Sequence, residues 1–288
     1  MHLHLILLSL ILCTALRATP LQLQGNTLAW AVRWQQAMLR FLIPPLLLFV
    51  TAIAVLCMGH HGTMLGLSVG WLGCHLALAF LGWAIALLVW QFWRGWRSLQ
   101  QLQAYSTQNI DNATVHLLES AIPYAAQVGF WQPRLVVSSG FLNDFTPEQV
   151  QAVLAHEQAH TYYRDTFWFF WLGWLRQLTA WLPNSQPLWD ELLLLRELRA
   201  DQWAAQRVDP LLLAETLLKM VNPPALPSQD WCAAFGTAAV SDRLDQRINA
   251  LLQESTLPEA QPVIQIDLIG WLHLFMVFAP LLTLALHH

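Results

Sequence analysis

At 288 residues the chain has room for one or two domains, but 56% apolar residues against 11% charged, with a mean hydropathy of +0.42, exclude an ordinary soluble protein and read as a membrane protein. A net charge of -4 and a single lysine, Lys219, leave no basic patch for nucleic acid. Sixteen tryptophans suit membrane–water interfaces, where the ring is apolar and its N–H stays wet. Cys13, Cys57 and Cys74 lie in hydrophobic segments and Cys232 stands alone, so all four read as packing residues rather than a disulfide framework or a CxxC metal site.

Leu3 to Leu16 is a modest apolar run with no lysine or arginine before it. A secretory signal normally has a basic start, so a retained first span is favoured. A second span is expected over about Phe41 to Met58, with Pro44-Pro45 near its start, and a third over about Met64 to Trp90 after the uncharged Gly59-His60-His61-Gly62 turn. Trp93, Arg94, Trp96 and Arg97 follow as an interfacial anchor. Basic loops stay in the cytoplasm, so Arg17 to Arg40 and Arg94 to Arg97 share one side, with two spans between them. That places the N-terminus outside and everything from Arg94 to about Asp267 in the cytoplasm. Leu268 to Leu286 is long enough to cross once more and leave a short tail outside; His273 within it, like His75 and the His60-His61 pair, reads as a packing or interfacial residue.

Between the third and last spans, Ser98 to Ser120 is polar and expected to be helical. Arg134 to Gly140 reads as a short strand closed by a glycine turn, either a core strand or an edge strand offering its backbone to an extended peptide. Phe145-Thr146-Pro147-Glu148-Gln149 is a helix start, with Thr146 as N-cap, Pro147 in the first turn and Gln149 closing a capping box. The helix that follows carries His156-Glu157-Gln158-Ala159-His160. Positions i and i+4 share a helix face, so both imidazoles can meet one metal ion, with Glu157 beside it as the general base for a metal-bound water. Burial of three such groups on an apolar helix argues for a metal. Phe167 to Leu182 is aromatic but carries Arg176, and reads as a helix packed on the domain or dipping into the interface.

Two histidines leave a catalytic zinc one protein ligand short. The metzincin pattern would put a histidine at position 166, which is Thr166. Glu191, Glu197 and Asp201 are the next candidates; Glu197 and Asp201 share a helix face from which Glu191 is turned away. Glu197 is the expected ligand and Asp201 the carboxylate that orients a ligating histidine. Tyr162, Tyr163 and Arg243 are candidate donors to the transition state.

His156-Glu157-Gln158-Ala159-His160 followed by Glu197-Leu198-Arg199-Ala200-Asp201 resembles the gluzincin pattern. The Pro133 to Gly140 strand, the Glu148 to His160 helix, the Arg164-Asp165 pair and Ser241 to Ile248 resemble two gluzincin families. These are the membrane signal transducers of the BlaR/MecR kind and, more distantly, the HtpX/CAAX-prenyl-protease kind. The resemblance implies one Zn2+ per chain held by His156, His160 and Glu197, and a protein or peptide substrate, such as a transcriptional repressor, whose cleavage relays a signal. The transducers end in an extracellular sensor, whereas this sequence stops at His287-His288, so beta-lactam sensing is not implied.

The expected fold is a mostly α membrane protein. It comprises residues 1-97 with three transmembrane helices (about 3-16, 41-58 and 64-90), a cytoplasmic α+β zincin-like peptidase domain over 98-262, and one C-terminal transmembrane helix over 263-288. Alternatives to a signalling protease are a housekeeping quality-control protease in the membrane and a catalytically silent zinc-binding adaptor. An intact Glu157 speaks against the adaptor, because a purely structural site has no use for a general base. A metal transporter would need paired polar residues inside the spans, which hold only scattered histidines.

Overall fold

The computed structural model of the chain describes residues 2–18, 30–59, 63–64, 67–68, 71–103, 105–110, 113–221, 240–252 and 275–286. These fall into two units, the first made of Met1–Trp90, Trp174–Leu192 and Val263–His288, the second of Gln91–Gly173 and Leu193–Pro262.

The first unit is helical. Helix α1 spans His2–Ala18, α2 spans Trp30–Met58, and α3 starts at Trp71 and runs to Leu102, its later residues belonging to the second unit. Only α2 and α3 among the described helices are long and apolar enough to cross a membrane. Helix α1, where the first span is expected, is a shorter apolar helix: its 17 residues rise about 26 Å against the roughly 30 Å of a hydrocarbon core. The third begins later than its hydropathy suggested. Thr63 and Met64 pair with Ser68 and Leu67 in a small antiparallel hairpin, β1 (Thr63–Met64) and β2 (Leu67–Ser68), in a stretch where Gly62, Gly66 and Gly70 disfavour helix. The C-terminal span is expected over 268–286, of which 268–274, with His273, lie outside the described residues. Of the remainder, residues 275–277 are helical, and after a turn at Phe278 a short α10 (Ala279–Leu282) and a 3-10 turn over Thr283–Leu286 follow.

Small residues let α2 and α3 approach: Ala52, Ala54 and Val55 of α2 bury against Cys74 and Ala77 of α3. Cys13 and Cys74 are buried as expected, Cys57 is exposed, and Cys232 lies outside the described residues. Helix α2 continues through Pro44 and Pro45 instead of starting late. Proline has no N–H, so Pro45 leaves the Phe41 carbonyl without its helical donor. The Arg17 guanidinium fills that role at 3.1 Å, while the Cys13 thiol donates to the Pro44 carbonyl at 3.4 Å. Ser9 and Thr51 share a hydroxyl hydrogen bond at 2.8 Å between the same two helices.

The second unit holds a four-stranded sheet in the order β3-β4-β6-β5, made of β3 (Ser106–Ile110), β4 (Ala113–Leu118), β5 (Ala125–Val128) and β6 (Arg134–Ser138). The β4–β6 pair is parallel and the other two pairs are antiparallel. The expected helix over Ser98 to Ser120 therefore ends at Leu102, and a hairpin replaces the rest. Thr107, Ile110, Thr114 and Val115 favour extended backbone, and Asp111-Asn112 between them is turn chemistry. The Arg134 strand is present, but it is an interior strand; β5 is the edge. Instead of a glycine turn after it, Ser138 caps a short helix α4 (Ser139–Asp144). Gly140 is there for close approach, since a Cβ would lie 2.1 Å from the Ala121 carbonyl oxygen.

Helix α5 (Pro147–Tyr162) begins with the expected capping box: Thr146 accepts from the Gln149 N–H, and the Gln149 side chain accepts from the Thr146 N–H. Val150, Val153 and Leu154 bury against Val115, Leu135, Val137 and Phe141, which seats α5 on the sheet. Ala152 and Ala155 pack with Leu213, Leu217 and Leu244 from α8 (Pro210–Val221) and α9 (Val240–Leu252). The aromatic segment forms α6 (Asp165–Leu178), and α7 (Ser185–Ala205) carries the expected third ligand.

Candidate metal centre

Helical spacing puts His156 and His160 on one face of α5, both buried, with ring planes at 85° and Nε2 atoms 3.2 Å apart. From α7, Glu197 reaches the same point: Oε2 is 3.3 Å from His156 Nε2 and Oε1 is 3.8 Å from His160 Nε2. One donor atom from each of these three residues lies within 4.8 Å of the others. Glu191 is not part of the group. Its carboxylate is held by Arg33 of α2 at 2.8 Å, within the first unit.

Behind each imidazole stands a carboxylate, and behind each carboxylate an arginine. His156 Nδ1 lies 2.8 Å from Asp201 Oδ1, and Asp201 takes two hydrogen bonds from Arg247, at 2.6 and 2.7 Å. His160 Nδ1 lies 2.8 Å from Asp165 Oδ2, and Asp165 is paired with Arg199. Carboxylates on both Nδ1 atoms favour the tautomer whose Nε2 carries a lone pair. The two Nε2 atoms and the Glu197 carboxylate then face one point, where either a proton on His156 or a metal cation relieves their mutual repulsion. The donor set of two imidazoles and one carboxylate, each imidazole backed by an acidic group, fits zinc.

The electrostatics agree. Burial would push the Glu197 carboxyl up, but Arg196, His160, His156 and Arg247 hold it well below the usual carboxylate range. Burial acts the same way on Asp201, and Arg247 and His156 overcome it. Burial disfavours charge on His156, yet Asp201 and Glu197 push its pKa up to about 10. Glu157 goes the other way: burial raises its carboxyl above the ordinary value, with His160 and His156 only partly opposing. In protein stripped of metal, the charged form of His156 therefore stabilises the fold fully below pH 6.5, and that contribution is lost as pH rises through about 10. Metal must displace this proton. Chelator competition is expected to show affinity rising about tenfold per pH unit between roughly pH 7 and pH 9; an affinity flat across that window would contradict the charge assignment.

Of the candidate transition-state donors, Tyr162 is 68% exposed, and Arg243 sits on α9 one turn before Arg247. Tyr163 has a buried hydroxyl with no hydrogen-bond partner among the described residues, and the Arg199 guanidinium lies 4.0 Å over its ring. Asp165 and Arg247 carry contacts at the site that the sequence reading gave no role. Arg247 was within reach of it, being one turn along the same helix face as Arg243. A cavity of about 390 Å³ lies between β4, β5, β6 and α5. Its α5 residues, Leu154, Gln158 and Thr161, are on roughly the opposite side of that helix from the two histidines, so it is separate from the metal site.

Residues 97–193 match the model of peptidase family M48. No curated protein matches the chain. The matched stretch contains Asp165, both histidines and Glu157, and ends four residues before Glu197. A match over about a third of the chain, joined to a His156–His160–Glu197 cluster whose two histidines are buried, supports the M48 metallopeptidase family.

Proposed function

We propose that the chain is a membrane-anchored zinc endopeptidase, with a peptidase domain over about residues 98–262, His156, His160 and Glu197 as zinc ligands and Glu157 as general base. The observation that carries this reading is the convergence of two imidazole Nε2 atoms and the Glu197 carboxylate on one buried point beside Glu157. Zinc bound there would lower the pKa of a water toward about 7 and polarise the scissile carbonyl. Glu157, its affinity for a proton raised by burial, takes the proton from the attacking water and passes it to the leaving amine. Asp201 and Asp165 keep the imidazoles oriented, and Arg196 and Arg247 keep Glu197 ionised. Tyr163, with its unused buried hydroxyl, is preferred to Tyr162 as donor to the developing oxyanion.

Strand β5 supports the protease reading over a silent adaptor. Its outer side pairs with no strand among the described residues, and Gln127 on it donates to the Glu157 carbonyl at 3.4 Å, so a free sheet edge runs beside the general base. An extended peptide can add to such an edge. The arginine distribution supports a cytoplasmic domain with both termini outside, and the resemblance to signal transducers supports a repressor-like protein substrate in a relay; quality control in the membrane uses the same chemistry.

The reading is tested on detergent-purified protein by zinc analysis and by casein or self-cleavage. Wild type is expected to hold about one zinc per chain, and His160→Ala to lose most of it together with all cleavage. Folded wild type without zinc would end the proposal.

A further inference from the structure

Three segments of the second unit, distant in sequence, meet in one aromatic surface. The α3 segment contributes exposed Phe92, Trp93 and Trp96, with the Arg97 guanidinium 4.3 Å over the Trp93 ring. From the β5–β6 connection, Phe130 meets Phe92 edge-on at 5.8 Å and stacks on Phe170 of α6 at 4.6 Å. Trp131 packs edge-on against Phe167 at 5.8 Å yet stays 64% exposed, and Trp168 beside it is 58% exposed. The assembly is built rather than incidental. Gln91 donates to the Phe170 carbonyl at 2.6 Å, and Gly129, at φ +108°, lets the connection lie against Leu99 where a Cβ would be 2.9 Å from its Cδ2.

We propose that this surface rests in the headgroup layer of the bilayer. Indole rings outward with guanidiniums among them are the chemistry of that layer. Arg94, Arg97, Arg134 and Arg164 are exposed in or at the ends of the segments that form the patch. Over residues 91–102, 128–134 and 164–172 the single acidic residue is Asp165, and it is buried against His160 and Arg199. Continuity names the occupant: the patch begins where the apolar run of α3 ends, and α3 is one of the two helices able to cross a membrane. Strand β5 ends at Val128, directly before the connection, so its free edge lies close to the membrane surface. Resting on the protease reading, the substrate class is then a polypeptide segment adjoining a membrane span, not a loop of a soluble protein.

The test uses the full chain in vesicles of phosphatidylcholine and phosphatidylglycerol, with the photo-reactive residue benzoylphenylalanine at position 96, 131, 168 or, as control, at the exposed Gln151 of α5. Lipid adducts are expected at 131 and 168 as at 96, and none at 151. Adducts to protein, or no adducts, at 131 and 168 while 96 labels lipid would overturn the surface, and this readout needs no catalysis. Trp131→Gln with Trp168→Gln is further expected to slow cleavage of a casein-derived peptide fused to a transmembrane helix about tenfold, leaving the free peptide unaffected. Equal effects on both peptides would overturn the substrate class, and cleavage of neither by wild type would count against the protease reading alone.

Discussion

Glu157→Gln is expected to cut turnover by about 10²- to 10⁴-fold while zinc content and unfolding temperature stay at wild-type values. The amide has the shape of the carboxyl but cannot hold the proton that passes from water to leaving amine. Fold stability has little to lose, because the Glu157 charge is buried and burial already disfavours it. On the proposed mechanism the deprotonated carboxylate of Glu157 is the active form, so the rate is expected to rise with pH as that group ionises. Steady-state rates with metal analysis on the same samples decide it: a Gln variant cleaving at wild-type rate would remove Glu157 from the chemistry.

The second large effect is expected away from the metal. Arg247→Met removes the guanidinium that grips both Asp201 oxygens and lies 3.5 Å from Glu197, leaving Asp201 charged, 2% exposed and short of its main partner. Removing one member of a buried ion pair costs about 3–5 kcal/mol, and losing the group that steadies a ligating histidine weakens metal binding about 10- to 100-fold. Thermal unfolding and chelator competition read the two losses separately. Adding Asp201→Asn to Arg247→Met is expected to return much of the stability but not the metal affinity. Arg243→Met, one turn earlier on the same helix, serves as the comparison; an equal loss there would show that the effect belongs to α9 in general rather than to the Asp201 pair.

Helix α5 was legible because everything that defines it is local: a capping box at Thr146, a proline in the first turn, and two histidines whose four-residue spacing is itself the geometry of the site. Glu197 and Asp201 were legible for the same reason, as one face of one helix. What the sequence concealed was pairing at a distance. Nothing near Arg247 announces that its partner is Asp201, 46 positions earlier, and nothing near Glu191 announces Arg33. Polarity misled over Ser98 to Ser120, where the strand-favouring Thr107, Ile110, Thr114 and Val115 outweighed it. Hydropathy misled at the start of the third span, since Met64, Leu65, Leu67 and Val69 dominate it there and it is blind to the helix cost of Gly66 and Gly70.

Helix α1 meets α2 through a mark that cannot slide. Along most of α2 each carbonyl is taken by the N–H four residues on, and an arginine moving over it would find no acceptor to prefer. Pro44 and Pro45 free the Arg40 and Phe41 oxygens, and Arg17 engages that of Phe41 while also donating to Ser185 at 3.1 Å. A shift of a single residue, about 1.5 Å along the axis, would take the guanidinium off that oxygen. Apolar packing alone tolerates many offsets between two greasy helices; here the proline-freed Phe41 oxygen and one arginine favour a particular one, much as a notch sets the depth of a key.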